Sequence, residues 1–270
     1  MTIPTDFYCR LTNRTIIEIK GNDREVFLQG IITQDVKHLE SESILYSLML
    51  SPQGKFQFDF FIIQVEGAWL IDVNTTRAQV LVQRLQLFKL RADISIQINV
   101  NWQVGVSSAK LEMENCFSDP RLKDLGYRFY DQNIIDKTPS DDYEILRLSL
   151  GIPDGAQDMI IDKSIPLEWG MDELHAISWN KGCYMGQELT ARSRYVGQIR
   201  KRVFPITFKV PGKYAVGEKF WADGQEVGEL RAINDNFGLA ILKLEALKTE
   251  ISMNNYPIEV HKPSWMILPE

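Results

Sequence analysis

The chain has 270 residues, of which 44% are hydrophobic and 24% charged, a composition typical of a globular protein with one large domain or a few smaller ones. Its formal net charge of −6 argues against a general binder of nucleic acids or anionic membranes, and no apolar run approaches the roughly 18 residues that span a bilayer. The cysteines, Cys9, Cys116 and Cys183, lie far apart, which favours reduced thiols over a disulfide framework and leaves no pair with metal-chelating spacing.

The first forty residues predict one strand and one helix. A β-prone run at 15–20 indicates the strand. Asn22 or Asp23 would cap the helix, because Asn and Asp side chains accept hydrogen bonds from the first free backbone amides. Apolar residues at helical spacing continue this helix to about Leu39.

The next segment predicts an antiparallel sheet followed by a helix. β-Prone runs over 43–74 flank two turns, at 52–55 and 66–67, in the manner of a meander. Amphipathic spacing predicts a helix over 76–88, and alternating residues predict a strand over 92–100. Residues 102–107 indicate another strand, whereas 111–130 carry no readable pattern.

The second half of the chain predicts two helices and a separate β domain. The helices are expected over 141–150 and 187–195. After Arg202, short β-like runs punctuated by glycines suit a small closed β-barrel. We therefore expect an α+β region over 1–202 and a C-terminal β-barrel domain over 203–270, with the boundary near 202–204.

One short motif carries the local chemistry of a reactive thiol. Residues 181–188 read Lys-Gly-Cys-Tyr-Met-Gly-Gln-Glu and lead into the predicted helix over 187–195. A nearby cation such as Lys181 and a helix N-terminus both favour the thiolate form of Cys183. Cys9 and Cys116 lack such surroundings, and a buried structural role is expected for them.

The motif begins a basic stretch that has two interpretations. Between residues 181 and 202 there are six cations and one acid, Glu188. The stretch is either a solvated helix face, with Glu188 and Arg192 paired one turn apart, or a docking surface for an anion such as a carboxylate tail or RNA. No metal site is expected within one chain, although Cys183 could supply one ligand to a cluster shared with another protein.

The motif at 181–188 resembles the signature of the YgfZ family of folate-binding proteins, which are similar to the T-protein (aminomethyltransferase) of the glycine cleavage system. Seven fixed residues in one segment make this resemblance specific. Other blocks extend it over nearly the whole chain, namely 21–35, 51–55, 151–153, 166–168, 191–202 and 238–240.

The resemblance implies an aminomethyltransferase-like, folate-binding α+β fold, in which subdomains form a ring around tetrahydrofolate and the motif cysteine lies near the rim. It also implies a role in assembling or repairing iron–sulfur proteins, including radical enzymes that modify tRNA. The implied catalytic residues are Cys183 and Lys181. The implied contacts to tetrahydrofolate or a derivative are Gln29, Asp59, Glu168, Tyr184, Gln187, Glu188 and Arg192.

Two departures from the T-protein pattern weaken the case for aminomethyl transfer. An Asp-Asp pair of that enzyme is replaced here by Phe58 and Asp59, and its pterin-binding glutamate is replaced by Ser149. A carboxylate that binds the N–H groups of a pterin makes strong, charge-assisted hydrogen bonds. Asp59 and Glu168 are the remaining candidates for that role.

Three functions follow, each from a different class. The first is a tetrahydrofolate-binding accessory factor that works through Cys183 on iron–sulfur assembly proteins or their client enzymes. The second is a folate-dependent aminomethyl or one-carbon transferase, and the third is a module that docks a protein or RNA through its basic stretch at 192–202. The expected location is the cytoplasm, or the mitochondrial matrix in a eukaryote, although no transit peptide is evident; no membrane partner is expected.

Overall fold

The computed structural model describes residues 3–268 except 196, 198 and 211. Its strands are, in chain order, β1 (Tyr8–Arg10), β2 (Arg14–Lys20), β3 (Ile44–Leu50), β4 (Phe56–Val65), β5 (Ala68–Asn74), β6 (Ser95–Asn99), β7 (Gln103–Ser107), β8 (Cys116–Ser118), β9 (Tyr127–Asp131), β10 (Lys201–Phe208), β11 (Lys219–Ala222), β12 (Gln225–Asn234), β13 (Phe237–Lys243), β14 (Ser252–Met253) and β15 (Tyr256–Val260). Its α-helices are α1 (Arg24–Gln29), α2 (Leu39–Glu42), α3 (Thr75–Lys89), α4 (Ser140–Ser149), α5 (Gly155–Asp158) and α6 (Gln187–Tyr195), with 3₁₀ turns at Val36–His38, Lys123–Leu125, Pro166–Trp169 and Leu244–Lys248.

The first sheet has the strand order β3-β4-β5-β2-β6, and its neighbouring strands are antiparallel. This arrangement confirms the meander predicted over 43–74. Helix α3 covers one face, where Leu81 and Leu85 pack in one core with Ile17 and Ile19 of β2. Because successive side chains of a strand point to opposite faces, the adjacent Ile16 belongs to a second core on the other face.

The second sheet, in the order β1-β7-β9-β8, shares that second core. Val106 of β7 and Tyr130 of β9 belong to the same buried cluster as Leu70 of the first sheet. Leu148 of α4 and Leu167 of the 3₁₀ turn Pro166–Trp169 also belong to it. The two sheets and the α4 region are therefore held together by one continuous apolar core.

The C-terminal strands form a closed barrel in the order β10-β13-β12-β11-β14-β15. Its own core contains Phe204, Phe220, Leu230 and Leu242, none more than 1% exposed. Closure leaves no free sheet edge among these strands. The barrel predicted from the sequence is thus confirmed, and its first strand begins at Lys201; the domain boundary at 202–204 stays a prediction.

The segment after β15 folds back onto the residues that precede the cysteine motif. The Trp265 Nε1 donates to the Leu150 carbonyl at 2.8 Å, and the Ile267 N–H donates to the Glu173 carboxylate at 2.7 Å. Glu173 also pairs with Arg202 at the start of the barrel. These contacts fasten the barrel to the region that carries the motif.

The helix predicted from residue 22 or 23 to Leu39 is wrong in its length. Helix α1 ends at Gln29, and the chain then runs through an irregular loop to a 3₁₀ turn. The Gln29 side chain stabilises this break, because it donates to the Asp35 carboxylate at 2.9 Å and accepts from the Val36 N–H at 3.0 Å. Asp23 is the N-cap residue, but its side chain accepts from the Asp93 N–H and caps nothing in the helix.

The other element predictions agree with the structure within a few residues. The predicted helices over 76–88, 141–150 and 187–195 correspond to α3, α4 and α6. The stretch 111–130, which had no readable pattern, contains β8 and most of β9, and these two strands pair antiparallel. The segment between them contains a buried ion pair between Asp119 and Arg121 at 2.8 Å. Within the described residues, no helix combines the length and apolar character needed to cross a membrane.

Candidate functional site

The cysteine motif forms a non-helical loop that presents its thiol outward. Cys183 is exposed, whereas its neighbour Tyr184 is 6% exposed and packs in the second core. Helix α6 begins at Gln187, immediately after the loop. The loop is therefore anchored by a buried aromatic ring while the sulfur remains open to an outside molecule.

The loop rests on the irregular segment at residues 30–35, which we name the platform loop. The Met185 N–H donates to the Gly30 carbonyl at 3.3 Å, and the Ser178 N–H donates to the Thr33 carbonyl at 3.0 Å. The Thr33 hydroxyl donates in return to the Ala176 carbonyl at 2.6 Å. The break after α1, which the sequence pattern did not reveal, thus supplies the backbone groups that hold the motif.

The side chain of Lys181 connects the motif to the platform loop. Its ammonium donates to the Ile32 carbonyl at 2.8 Å and to the Gln34 carbonyl at 2.7 Å, and it lies 5.3 Å from the centre of the Tyr184 ring. Burial lowers the pKa of Lys181 to about 8, opposed by the charge of Asp35. The structure shows a tether; the catalytic role inferred for Lys181 stays a prediction.

The two glycines of the motif have different surroundings. A Cβ built on Gly182 would meet nothing within 4 Å, so the space beside Cys183 is open. A Cβ on Gly186 would lie 2.5 Å from the Ser51 carbonyl oxygen, and Gly186 has φ +83°. Gly186 is therefore required for the close approach of the loop to the turn at 51–55, the second block of the family resemblance.

We expect Gly186→Ala to lower the free energy of unfolding by about 1–3 kcal/mol, because it forces a positive φ and a backbone clash together. Gly182→Ala is the matched control and should change stability by less than about 0.5 kcal/mol. Urea unfolding of both variants measures the difference. Equal stability of the two variants would contradict the contact between Gly186 and Ser51.

A cavity of about 260 Å³, the central cavity, lies where the two sheets meet α4. Its lining includes four arginines and four acidic residues. These are Arg14, Arg121, Arg128, Arg147, Asp59, Asp141, Glu144 and Asp154. That this cavity is the hole expected between ring-arranged subdomains stays a prediction. A set of buried charges of both signs can hold a polar ligand only if each charge keeps a partner.

Asp72 organises the arginines on one side of the central cavity. Its fully buried carboxylate accepts from Arg14 at 2.6 Å, from Arg128 at 2.9 Å and from the Tyr130 hydroxyl at 3.1 Å. Arg14 and Asp72 lie on the first sheet, and Arg128 and Tyr130 on the second. The carboxylate thus bridges the two sheets beside the cavity.

Two carboxyl groups in the central cavity have accepting capacity. Asp59 is 3% exposed and accepts from the Tyr46 hydroxyl at 3.1 Å and the Gly155 N–H at 3.2 Å, both through Oδ2. Burial and the charge of Asp154 raise the pKa of Asp59, opposed by Arg14. The Oδ1 atom of Asp154 is buried without a hydrogen-bond partner among the described residues.

An acceptor without a partner in a buried cavity indicates room for a ligand that donates. The edge of a pterin ring offers such N–H donors, so Asp59 and Asp154 fit the head group of a folate. Asp154 was not singled out from the sequence, although it directly follows the 151–153 block of the family resemblance. The 151–153 block could have drawn attention to Asp154, but nothing in the sequence placed Asp154 opposite Asp59.

The other predicted folate contacts lie elsewhere. Gln29 uses both polar ends of its side chain in the turn after α1, and the buried Tyr184 hydroxyl has no partner among the described residues. Burial raises the pKa of the half-buried Glu168, opposed by Lys201 and Lys55. The remaining predicted contacts, Gln187, Glu188 and Arg192, are on α6.

Of the seven predicted folate contacts, only Asp59 lines the central cavity within the described part of the chain. The surface pair expected between Glu188 and Arg192 is not within ion-pair distance, judged over those same residues. No three potential metal ligands cluster anywhere in the described ranges. Whether Cys183 contributes to a shared cluster stays a prediction.

The C-terminal barrel and the sequence as a whole resemble known proteins. The family model of the CAF17 C-terminal beta-barrel domain matches residues 200–267. The chain is 31% identical over 231 residues to the mitochondrial iron-sulfur cluster assembly factor IBA57 homolog of Mycosarcoma maydis, covering 75% of this chain and 57% of that protein. It is 29% identical over 281 residues to the mitochondrial iron-sulfur cluster assembly factor IBA57 of Homo sapiens, covering 88% of this chain and 78% of that protein.

Among solved structures, the chain resembles the glycine cleavage system aminomethyltransferase T from Bartonella henselae. The TM-score is 0.73 at 12% sequence identity, and the match covers 96% of this chain and 86% of that one. This likeness confirms the predicted fold class, an aminomethyltransferase-like α+β fold with a C-terminal β-barrel. The homologues are thus named iron–sulfur cluster assembly factors, and the closer resemblance to the YgfZ family stays a prediction.

Proposed function

We propose that this chain is an accessory factor for the assembly or repair of iron–sulfur proteins, acting through the thiol of Cys183. The observation that carries the proposal is an exposed cysteine on a loop whose base is fixed by a buried lysine. The names of the homologues support the iron–sulfur role. They also support the mitochondrial matrix as its location in a eukaryotic cell, with the cytoplasm the alternative in a bacterium.

The proposal includes tetrahydrofolate, or a derivative, as the ligand of the central cavity. The head group would be held by Asp59 and Asp154, because Asp154 Oδ1 has no partner among the described residues and both hydrogen bonds to Asp59 go to Oδ2. When bound, this cofactor supplies a carrier for one-carbon units. The clients would be iron–sulfur assembly proteins or iron–sulfur enzymes, among them radical enzymes that modify tRNA.

Cys183→Ser tests the working role of the thiol. In a strain that lacks this protein, the wild-type chain should restore the activity of a cluster-dependent enzyme, and Cys183→Ser should not. Its thermal stability should match the wild type, because Cys183 is exposed. Cys116→Ala removes a thiol elsewhere and should retain function. Full restoration by Cys183→Ser would contradict the proposal.

Calorimetric titration of the purified protein with tetrahydrofolate tests whether it binds the ligand. Asp59→Asn and Asp154→Asn should each weaken binding about tenfold or more through loss of a charge-assisted hydrogen bond. Asp59→Asn should still fold, because an amide oxygen can accept the same two hydrogen bonds from Tyr46 and Gly155. Asp124→Asn, on an exposed residue, is the control.

Binding lost only in Glu168→Gln would move the folate site out of the central cavity. Release of product from an aminomethylated lipoyl carrier in the presence of tetrahydrofolate would favour the transferase instead. Failure to bind tetrahydrofolate at all would remove the ligand from the proposal and leave the thiol role to be decided by complementation.

A further inference from the structure

A second cavity, of about 530 Å³, lies between the turn at 51–55 and helix α6, and we name it the basic groove. Its walls come from the turn at 51–55, the 3₁₀ turn Pro166–Trp169 and helix α6. The floor is apolar, with Pro166 and Leu167 buried and Leu189 39% exposed. Lys55 and Arg192 are the cations of its lining.

The basic groove has the opposite sign to the chain as a whole. No acidic residue lines it among the described residues, although the chain carries a net charge of −6. By contrast, the arginines of the central cavity share its lining with Asp59, Glu144 and Asp154. The basic groove therefore attracts a negatively charged group.

Neither cation of the basic groove is neutralised by an ion pair. Within the described ranges, no carboxylate oxygen lies within 4 Å of the Lys55 ammonium or the Arg192 guanidinium. Glu168 is the nearby acid, half-buried behind the lining, and it interacts with both Lys55 and Lys201. The cations therefore outnumber this acid at the groove.

The walls of the basic groove are held in place by packing. A Cβ on Gly54 would lie 3.2 Å from the Gly186 carbonyl and from the Thr190 hydroxyl. The Phe56 N–H donates to the Ser164 carbonyl at 3.0 Å, which joins the turn at 51–55 to the chain before Pro166. A preformed groove loses less entropy on binding than a mobile one.

The basic groove and the thiol share their framework. Gly186, which ends the cysteine loop, packs against the same turn that forms one wall of the basic groove. A segment bound in the groove would therefore lie on the same framework as Cys183, which is three residues before Gly186 in the chain. Tethering of this kind raises the effective concentration of the partner at the thiol.

We infer that the basic groove docks an acidic segment of a protein partner, with an apolar side chain on its floor and carboxylates near Lys55 and Arg192. An apolar floor with two cations at its rim suits a peptide that carries both kinds of group. This inference rests on the proposed function, because the docked protein is the one on which Cys183 acts.

The experiment measures how fast Cys183 exchanges with activated peptides. Each peptide carries one cysteine as a 2-thiopyridyl mixed disulfide: the acidic peptide is Cys-Gly-Leu-Glu-Leu-Glu with a free carboxylate, and the neutral one has Gln for Glu and an amidated end. The Cys183 thiolate attacks the peptide sulfur, so a new S–S bond forms, the peptide–thiopyridyl bond breaks, and thiopyridone leaves with a proton. Thiopyridone absorbance gives the rate.

We expect the acidic peptide to react at least about tenfold faster than the neutral one at low salt. The ratio should fall towards about one in roughly 1 M salt, where charges are screened within about 3 Å. In Lys55→Glu/Arg192→Glu the ratio should also fall to about one. Lys37→Glu/Lys262→Glu makes the same charge change at two exposed lysines and should keep the wild-type ratio.

Equal rates for the two peptides at low salt would overturn the basic groove as a docking site. If the neutral peptide does not react at all, the thiol role in the proposed function fails. Fluorescence anisotropy of the labelled acidic peptide then tests, independently of the thiol, whether the basic groove binds it. Displacement of that peptide by a single-stranded RNA of equal charge, at equal concentration, would assign the surface to nucleic acid and contradict a peptide partner.

Discussion

Asp72→Asn is expected to lower the free energy of unfolding by about 3–5 kcal/mol, because it leaves two buried guanidinium groups without their carboxylate. Oδ1 of Asp72 accepts from Arg14 and Oδ2 from Arg128. Whichever way an asparagine amide is turned, its NH₂ group faces one of these donors. Thermal unfolding should show the midpoint roughly 10 °C lower.

Asp124→Asn makes the same chemical change at an exposed position and should leave the midpoint within about 1–2 °C of the wild type. The loss of the Asp72 carboxylate should also loosen the central cavity, because Arg14 and Arg128 line it. Hydrogen exchange should rise in β5 and β9 together, since the carboxylate joins the sheets that contain them. A stability change below about 1 kcal/mol would contradict the bridging role.

Lys181→Met is expected to lower the free energy of unfolding by about 2–4 kcal/mol. The same change should also abolish the ability of the chain to restore cluster-dependent enzyme activity. Each carbonyl that loses its donor in a buried place costs about 1–3 kcal/mol, and the removal of a buried cation offsets part of that sum. The carbonyls of Ile32 and Gln34 accept from no backbone N–H among the described residues. Without the tether, the cysteine loop should leave the platform loop.

Hydrogen exchange separates this loosening from general unfolding. In Lys181→Met, the amides of Ser178 and Met185, which donate to the platform loop, should exchange faster than those of the barrel. Lys37→Met, at an exposed lysine just after the platform loop, is the matched control. Unchanged exchange at both amides would refute the tether.

The same lysine predicts a dependence of stability on pH. Its pKa is lowered to about 8 in the folded state by burial, so between pH 8 and the ordinary lysine value of 10.5 the unfolded chain holds more protons than the folded one. The free energy of unfolding of the wild type, relative to Lys181→Met, should therefore rise as pH increases through this window.

Local patterns were enough to predict most elements of the fold. The meander, α3, α4, α6 and the barrel follow from the spacing of apolar residues and turns, and the structure confirms them. The end of α1 did not follow, because Ile31 and Val36 keep a helix-like spacing beyond Gln29. The break depends on the Gln29 side chain and on contacts with residues about 150 positions away, such as Lys181 to Ile32.

The candidate site could be predicted only in part for the same reason. Cys183 was identified by its neighbours in sequence, and its exposure agrees with that interpretation. The role of Lys181 as a tether depends on a distant loop, and the pairing of Asp59 with Asp154 depends on the meeting of β4 with the turn before α5. Such long-range juxtapositions leave no trace in local spacing.

The return of the segment after β15 has a consequence for biosynthesis. The motif is preceded by Glu173, which accepts from the Ile267 N–H, and a Cβ on Gly170 would lie 2.5 Å from the Trp265 ring. Because a nascent chain emerges from its amino end, Gly170 and Glu173 lack these contacts until residues 265–267 have left the ribosome. The region that precedes the motif therefore gains these contacts only after the whole barrel has been synthesised.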